Sequence, residues 1–178
     1  MSEELVQKEN FEALLRKNPC EGCPAPCCRM QIYPAVPPQN VMSVDHIRFS
    51  LLFPNSELTV SERGEFSMIK WQACSLLDQE KCKCSVHSTP KQPLTCVHFN
   101  PYNCWYKRNF VTDTPSDLCR LNLARFNKWA EHLKFDKDDK LVEAPDYKEM
   151  VELVKDIPLD HRFEINVGLV KASSCQQQ

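Results

Sequence analysis

The sequence predicts a small, irregular α+β fold with a cysteine-rich core, a short β-hairpin and flanking helices. Eleven cysteines occur in 178 residues, and nine of them fall into two blocks. Thirteen prolines interrupt regular structure, and six of these lie between Pro19 and Pro38. Short alternating segments and stretches with helical spacing surround the blocks. A core so irregular is expected to be braced by metal.

The first elements follow from caps and periodicity. Apolar residues at helical spacing predict a helix over residues 3–17, which Asn18-Pro19 ends. The alternation from Met30 to Ala35 predicts a strand. Ser43 is typical of an N-cap, so a helix is expected from there to about Phe53.

The middle of the chain predicts strands and loops. Phe66 to Trp71 has the composition of a strand, and residues 74–86 are interpreted as a hairpin whose ends carry cysteines. Prolines between residues 88 and 109 favour loops.

After residue 110 the pattern becomes helical. Thr114-Pro-Ser-Asp117 resembles a helix start, and a polar linker is expected over residues 135–143. A second helix is predicted from Pro145, and the alternation from Phe163 to Leu169 predicts an edge strand. We therefore divide the chain into a cysteine-rich domain, residues 1–110, and a helical appendage, residues 111–178, packed on it.

Composition narrows the classes of function. The net charge of -2 gives no electrostatic reason to expect a nucleic acid, and three glycines do not form a phosphate-binding loop. The N-terminus has no signal-peptide pattern, and no apolar stretch is long enough to span a bilayer. We expect a cytoplasmic protein without membrane contact. In that reducing compartment, clustered cysteines are more often metal ligands than disulfides.

The first cysteine block has metal-ligand spacing. Cys20 and Cys23 form the C-x2-C pair of a zinc or iron knuckle, and Cys27 can reach the same ion. Cys27 and Cys28 are adjacent, and neighbouring side chains in extended backbone point apart. They are therefore expected to serve two nearby metal positions.

The second block must supply the remaining ligands. The best candidates are Cys74, Cys84, Cys96 and Cys104. With the first block they give eight thiolates, which match two tetrahedral zinc or iron sites, or an iron–sulfur cluster with a structural zinc. Cys82 could replace Cys84 as a ligand, whereas Cys119 and Cys175 are expected to be inert thiols.

These residues carry a resemblance to a known family. After the first block come Cys74-Ser-Leu, Cys82-Lys-Cys84-Ser-Val, Pro93-Leu-Thr-Cys96 and Cys104. The order resembles that of the YkgJ-type zinc- or iron-chelating proteins of bacteria and archaea, named for a CxxCxxCC motif, over about residues 18 to 108. The chain has one extra residue within that motif. The resemblance implies metal binding by the eight cysteines; some members carry the motif in flagellin lysine methylases.

Three functions remain open at this stage. The first is a metal-binding protein in which a chelator unfolds residues 18 to 108. The second is an enzyme of redox or methyl-transfer chemistry, with His87 or His98 as a further ligand or base. The third is a zinc-knuckle nucleic-acid binder using the aromatic and cationic stretch Trp105 to Phe110, which the charge balance disfavours.

Overall fold

The computed structural model describes Cys20 and residues 23–110 and 117–159, and it confirms the small α+β class. The predicted helix over residues 3–17, the predicted strand Phe163 to Leu169 and Cys175 lie outside the described residues. The helices are α1 (Val41–Leu51), α2 (Leu94–Val97), α3 (Trp105–Phe110), α4 (Leu123–Ala130) and α5 (Tyr147–Val154). The strands are β1 (Met30–Pro34), β2 (Ser56–Ser61), β3 (Phe66–Trp71), β4 (Leu77–Asp78), β5 (Lys83–Cys84), β6 (Leu118–Leu121), β7 (Lys134–Phe135) and β8 (Leu141–Glu143).

A four-stranded antiparallel sheet in the order β1-β3-β2-β6 organises the molecule. Met30 pairs with Trp71, Leu58 with Met68, and Val60 with Cys119. Two small hairpins, β4-β5 and β7-β8, stand apart from this sheet. Since β6 belongs to the sheet, the chain after residue 117 shares one framework with the cysteine-rich part.

One face of the sheet carries the main hydrophobic core. Helices α1, α4 and α5 cover this face, and Phe126 and Trp129 of α4 are its largest fully buried side chains. The strands contribute alternate residues, among them Leu58, Val60 and Leu121. This core contains none of the predicted metal ligands.

The opposite face is smaller and supports the cysteine-rich segments. Met30, Ile69 and Trp71 are buried there, and Tyr106 and Phe110 of α3 pack against them. The Trp71 and Phe110 rings meet edge to face with centroids 5.5 Å apart. Helix α3, which begins directly after Cys104, is thereby fixed on the sheet.

Several local predictions were wrong. Asn40, not Ser43, caps α1, and the two residues form a reciprocal capping box. No helix begins at Asp117: residues 118–121 form strand β6, and Asn122 caps the following helix. The expected polar linker contains the β7-β8 hairpin. Strand β2 and helix α3 were not predicted, because their sequences lack clear periodicity and their stability comes from pairing and packing.

Other predictions agree with the structure. Strand β1 spans five of the six residues expected, and β3 has the predicted bounds. Helix α5 begins two residues after Pro145, with Asp146 as its cap. In the part of the chain described here, no helix combines the length and apolar character needed to cross a membrane.

Candidate metal centre

The first cysteine block forms a compact loop that leads into β1. The Cys23 N–H donates to the Cys20 carbonyl at 3.2 Å, closing a turn between the two cysteines. Ala25 has a left-handed backbone (φ 53°), after which Pro26–Cys28 forms one 3-10 turn. Because successive side chains diverge by about 120° in a 3-10 turn, Cys27 and Cys28 do not point in opposite directions as in a strand.

Strand pairing brings the second block to this loop. The β1–β3 ladder continues beyond both strands, since the Gln72 N–H donates to Arg29 and the Cys74 N–H donates to the Cys28 carbonyl at 2.7 Å. Leu77 then donates to the Cys74 carbonyl and pairs with Cys84 across the β4-β5 hairpin. Backbone hydrogen bonds and strand pairing thus connect three of the predicted ligands, Cys28, Cys74 and Cys84.

The last two predicted ligands lie on short helices. Cys96 belongs to α2, a single turn with no buried residue. Cys104 precedes α3, and its sulfur accepts a hydrogen bond from the Lys107 N–H at 3.3 Å. The first turn of α3 therefore positions the Cys104 sulfur.

A cavity of about 420 Å³ lies where these segments meet. Six of the eight predicted ligands line it: Cys20, Cys23, Cys27, Cys28, Cys84 and Cys104. Cys74 and Cys96 lie outside its wall and are exposed. All eight are free thiols. The fold therefore brings together segments that are up to 84 residues apart in the sequence.

Electrostatic contacts connect the thiols of both blocks. Burial raises the pKa of Cys20 and of Cys23, and the charges of Cys104 and Cys28 raise both further. Burial also raises the pKa of Cys96, where the added charges are those of Cys28, Cys84 and Cys74. Cys28 therefore acts on thiols on both sides of the Pro26–Cys28 turn. We call Cys20, Cys23, Cys27 and Cys104 centre A, and Cys28, Cys74, Cys84 and Cys96 centre B.

The adjacent pair Cys27 and Cys28 joins the two centres. A hydrogen bond between their side chains raises the pKa of Cys27 and lowers the pKa of Cys28 to about 7. Burial and the charges of Cys28, Cys104 and Cys23 raise the pKa of Cys27 further. Cys28 is therefore the thiol of this pair that loses its proton first.

The thiols do not form a preassembled metal site. Within the described ranges, no three side chains of His, Cys, Asp or Glu form a group tight enough to hold a metal. In a tetrahedral four-thiolate zinc site with Zn–S bonds of about 2.3 Å, the sulfurs lie about 3.8 Å apart.

Two cations that the sequence analysis missed lie beside the thiols. Arg29 is 7% exposed; its Nε donates to the Pro24 carbonyl at 2.9 Å, and its Nη2 lies 3.7 Å from the Cys82 sulfur. Its charge also contributes to lowering the pKa of Cys28, after the larger effect of Cys27. Lys107 lines the cavity and opposes the rise in pKa of Cys20 and Cys23. The sequence could have identified both cations by their position, because Arg29 directly follows Cys28 and Lys107 lies one helical turn after Cys104.

The remaining cysteines differ from the eight. Cys82 lines the cavity and is buried, and its sulfur lies 3.8 Å from the Gln79 carbonyl. Cys84 lines the same cavity as a free thiol. Cys119 lies in the main core, where burial raises its pKa to about 11. Cys119 therefore stays a neutral thiol at ordinary pH.

His87 and the aromatic residues after Cys104 have local partners. His87 lines the cavity, and its Nδ1 lies 2.9 Å from the Ser88 hydroxyl; His98 is exposed at the end of α2. Trp105, Tyr106 and Phe110 stack on one another and on the sheet. The stretch considered for base stacking is thus engaged in packing.

The fold and the site together define a small α+β protein with eight free, convergent thiols. Comparisons of the chain with family models, with curated proteins and with solved structures found no significant match. The resemblance to the zinc- or iron-chelating family accordingly stays a prediction that rests on the cysteine pattern.

Proposed function

We propose that the protein binds two metal ions, zinc or iron, in the neighbouring four-thiolate centres A and B. The observation that supports this proposal is the convergence of the eight free thiols around the Pro26–Cys28 turn, with six of them lining one cavity. Thiolate is the ligand type that zinc and iron share in tetrahedral sites. The proposal places the protein in the reducing cytoplasm, where thiolates stay available.

Charge supports the same assignment. Four thiolates around a divalent ion leave a net charge of about -2 for each centre. Arg29 and Lys107 lie beside the sulfurs and offset part of this charge. Since four thiolates complete a tetrahedron, the ligand count favours binding sites over a catalytic zinc site, which keeps one position open.

Metal analysis tests the proposal directly. Protein purified without oxygen is expected to contain two ions per chain, measured by elemental analysis with an absorption spectrum. Serine substitution at Cys23 or Cys84 should lower the count to one, whereas Cys119→Ala, the matched control in the core, should leave it at two. A chain that binds no thiophilic metal would contradict the proposal. Broad visible absorbance with acid-labile sulfide would replace two separate ions with an iron–sulfur cluster.

A further inference from the structure

We infer that strand β1 pairs with β1 of a second copy of this chain, so that two four-stranded sheets join into one sheet across a two-fold axis. The inference concerns the side of the molecule formed by β1 and α1, and it does not depend on the metal centres of the proposed function. Three features carry it: the outer edge of β1, the apolar groove beside that edge and the uncharged lining of the groove.

Strand β1 lies at the edge of the described sheet, where β3 is its one neighbour. The Ala35 N–H donates to the Phe66 carbonyl of β3, so the odd-numbered residues of β1 direct their backbone groups toward β3. Because this direction alternates along a strand, the backbone groups of Met30 and Ile32 point away from β3. Such an edge is a template for another strand unless charges or bulges protect it. The segment Met30–Pro34 carries no charge, and its proline stands at the end.

An apolar groove of about 670 Å³ runs beside this edge, between β1 and α1. Tyr33 and Val36 line it on the side of β1, and Met42 and Ile47 line it on the side of α1. Tyr33 is 44%, Val36 69% and Met42 75% exposed. Contiguous exposed apolar surface of this kind marks an interaction site.

The size and charge of this face fit a second copy. Phe49 and Phe53, further along α1, are also exposed, and their rings meet edge to face at 5.2 Å. Half-exposed side chains of this size each offer on the order of 100 Å², and with the strand edge the face approaches the roughly 800 Å² per partner of a standard interface. In the described part of the chain, no Lys, Arg, Asp or Glu lines the groove. Two identical faces therefore meet without like-charge repulsion.

A two-fold axis at Ile32 satisfies the strand edge. The Ile32 N–H donates to the partner's Ile32 carbonyl and the Met30 N–H donates to the partner's Pro34 carbonyl, with both bonds repeated by symmetry. Pro34 has no N–H to donate, so the added ladder ends there. Because the two strands continue one sheet, the two grooves adjoin on the same face and cover each other's apolar walls. The same surface serves both copies, as an isologous interface requires.

Sedimentation equilibrium of the full chain under reducing conditions tests the inference. The mass should rise with concentration from the 20.7 kDa of one chain to twice that value. Val36→Lys and Met42→Lys should each raise the dimer Kd by roughly tenfold or more, because each places an unpaired charge in the interface.

Leu52→Lys is the matched control. Leu52 is 63% exposed, and it follows the groove residue Ser50 by two positions, which places it on nearly the opposite side of the helix. This variant should leave the dimer Kd within about twofold of that of the unmodified chain, since its added charge stays in solvent.

Amide hydrogen exchange locates the contact. The Ile32 N–H should exchange more slowly at high protein concentration than at low concentration, because its bond lies between copies. The Ala35 N–H, which bonds within one chain, should change little.

The outcomes are distinct. A chain that stays monomeric at every concentration would overturn the inference. A dimer that Val36→Lys and Met42→Lys leave intact would overturn it as well, since the copies would then meet elsewhere. Protection of the Ile32 N–H in a monomer would assign the edge to another segment of the same chain and would also overturn it. None of these results changes the number of metal ions bound, so the proposed function is tested separately.

Discussion

Glu57 of β2 and Arg120 of β6 form a two-point ion pair between neighbouring strands. The Nε–Oε2 distance is 2.9 Å and the Nη2–Oε1 distance is 3.0 Å; Glu57 is fully buried and Arg120 is 17% exposed. The Arg120 guanidinium also lies 5.4 Å from the Trp71 ring and 5.7 Å from the Phe110 ring. One buried pair thus connects the sheet to the helix that follows Cys104.

Removal of one partner of this pair should be strongly destabilising. Glu57→Gln leaves the Arg120 charge without its counter-ion, and we expect a loss of about 3 kcal/mol in the free energy of unfolding, measured by urea denaturation. The double variant Glu57→Leu with Arg120→Met should recover much of that loss, because neither charge is then buried. Glu143→Gln, which breaks the exposed pair with Lys134, is the control and should have little effect. Equal effects of Glu57→Gln and Glu143→Gln would show that burial of the pair is unimportant.

The buried thiol of Cys119 should make the folded protein less stable at alkaline pH. Burial raises its pKa to about 11 from about 9. Below pH 9 the thiol is protonated in both states; above it, the unfolded chain loses the proton while the folded chain retains it. Stability should therefore fall as pH rises from about 9 to 11, by at most about 1.4 kcal/mol per pH unit.

The Cys119→Ala variant removes this thiol and keeps every other titratable residue, including Tyr147, whose pKa the Cys119 charge helps to raise. Its free energy of unfolding should depend less steeply on pH between 9 and 11 than that of the unmodified chain. The interpretation fails if both proteins show the same slope.

Arg29 should affect metal affinity although it is not a ligand. It connects the Pro24 carbonyl to the β4-β5 hairpin at Cys82 and places a positive charge beside Cys28. Groups that support metal ligands from behind typically contribute 10–100-fold to affinity. We expect Arg29→Gln to weaken zinc binding by roughly that factor in a competition assay with a chromophoric chelator.

Arg63→Gln provides the matched control, because Arg63 lies exposed in the turn between β2 and β3. It should bind zinc as the unmodified chain does. An unchanged affinity in Arg29→Gln would assign Arg29 a purely structural role.

Metal removal should disrupt only part of the molecule. The main core beneath α1, α4 and α5 contains no predicted ligand, so the sheet should persist when the metal is removed. Residues 23–28 and 74–104 should lose amide protection, because metal binding and ordering are coupled there. Hydrogen exchange with and without chelator measures this. If β2 and β3 also lost amide protection on chelation, this prediction would be wrong. The sequence-based expectation, that metal removal unfolds all of residues 18 to 108, would then be supported.

The cysteine pattern carried most of what the sequence could predict about the site. Thiols at short spacing predict candidate metal ligands from local sequence, and the strands β1 and β3 were predictable from alternation. The sequence argument for two neighbouring centres assumed an extended backbone at Cys27 and Cys28, but the structure places them in a 3-10 turn. The proposal of two centres therefore rests on the convergence of the thiols around this turn, and not on opposed side chains.

The sequence by itself determined the α+β class and which cysteines are candidate ligands, because both depend on short-range spacing. Only the tertiary structure showed which of these thiols line one cavity and that Glu57 pairs with Arg120. It also turned the expected helix at Asp117 into strand β6. These outcomes depend on contacts between residues far apart in the chain, where pairing and burial outweigh local propensity.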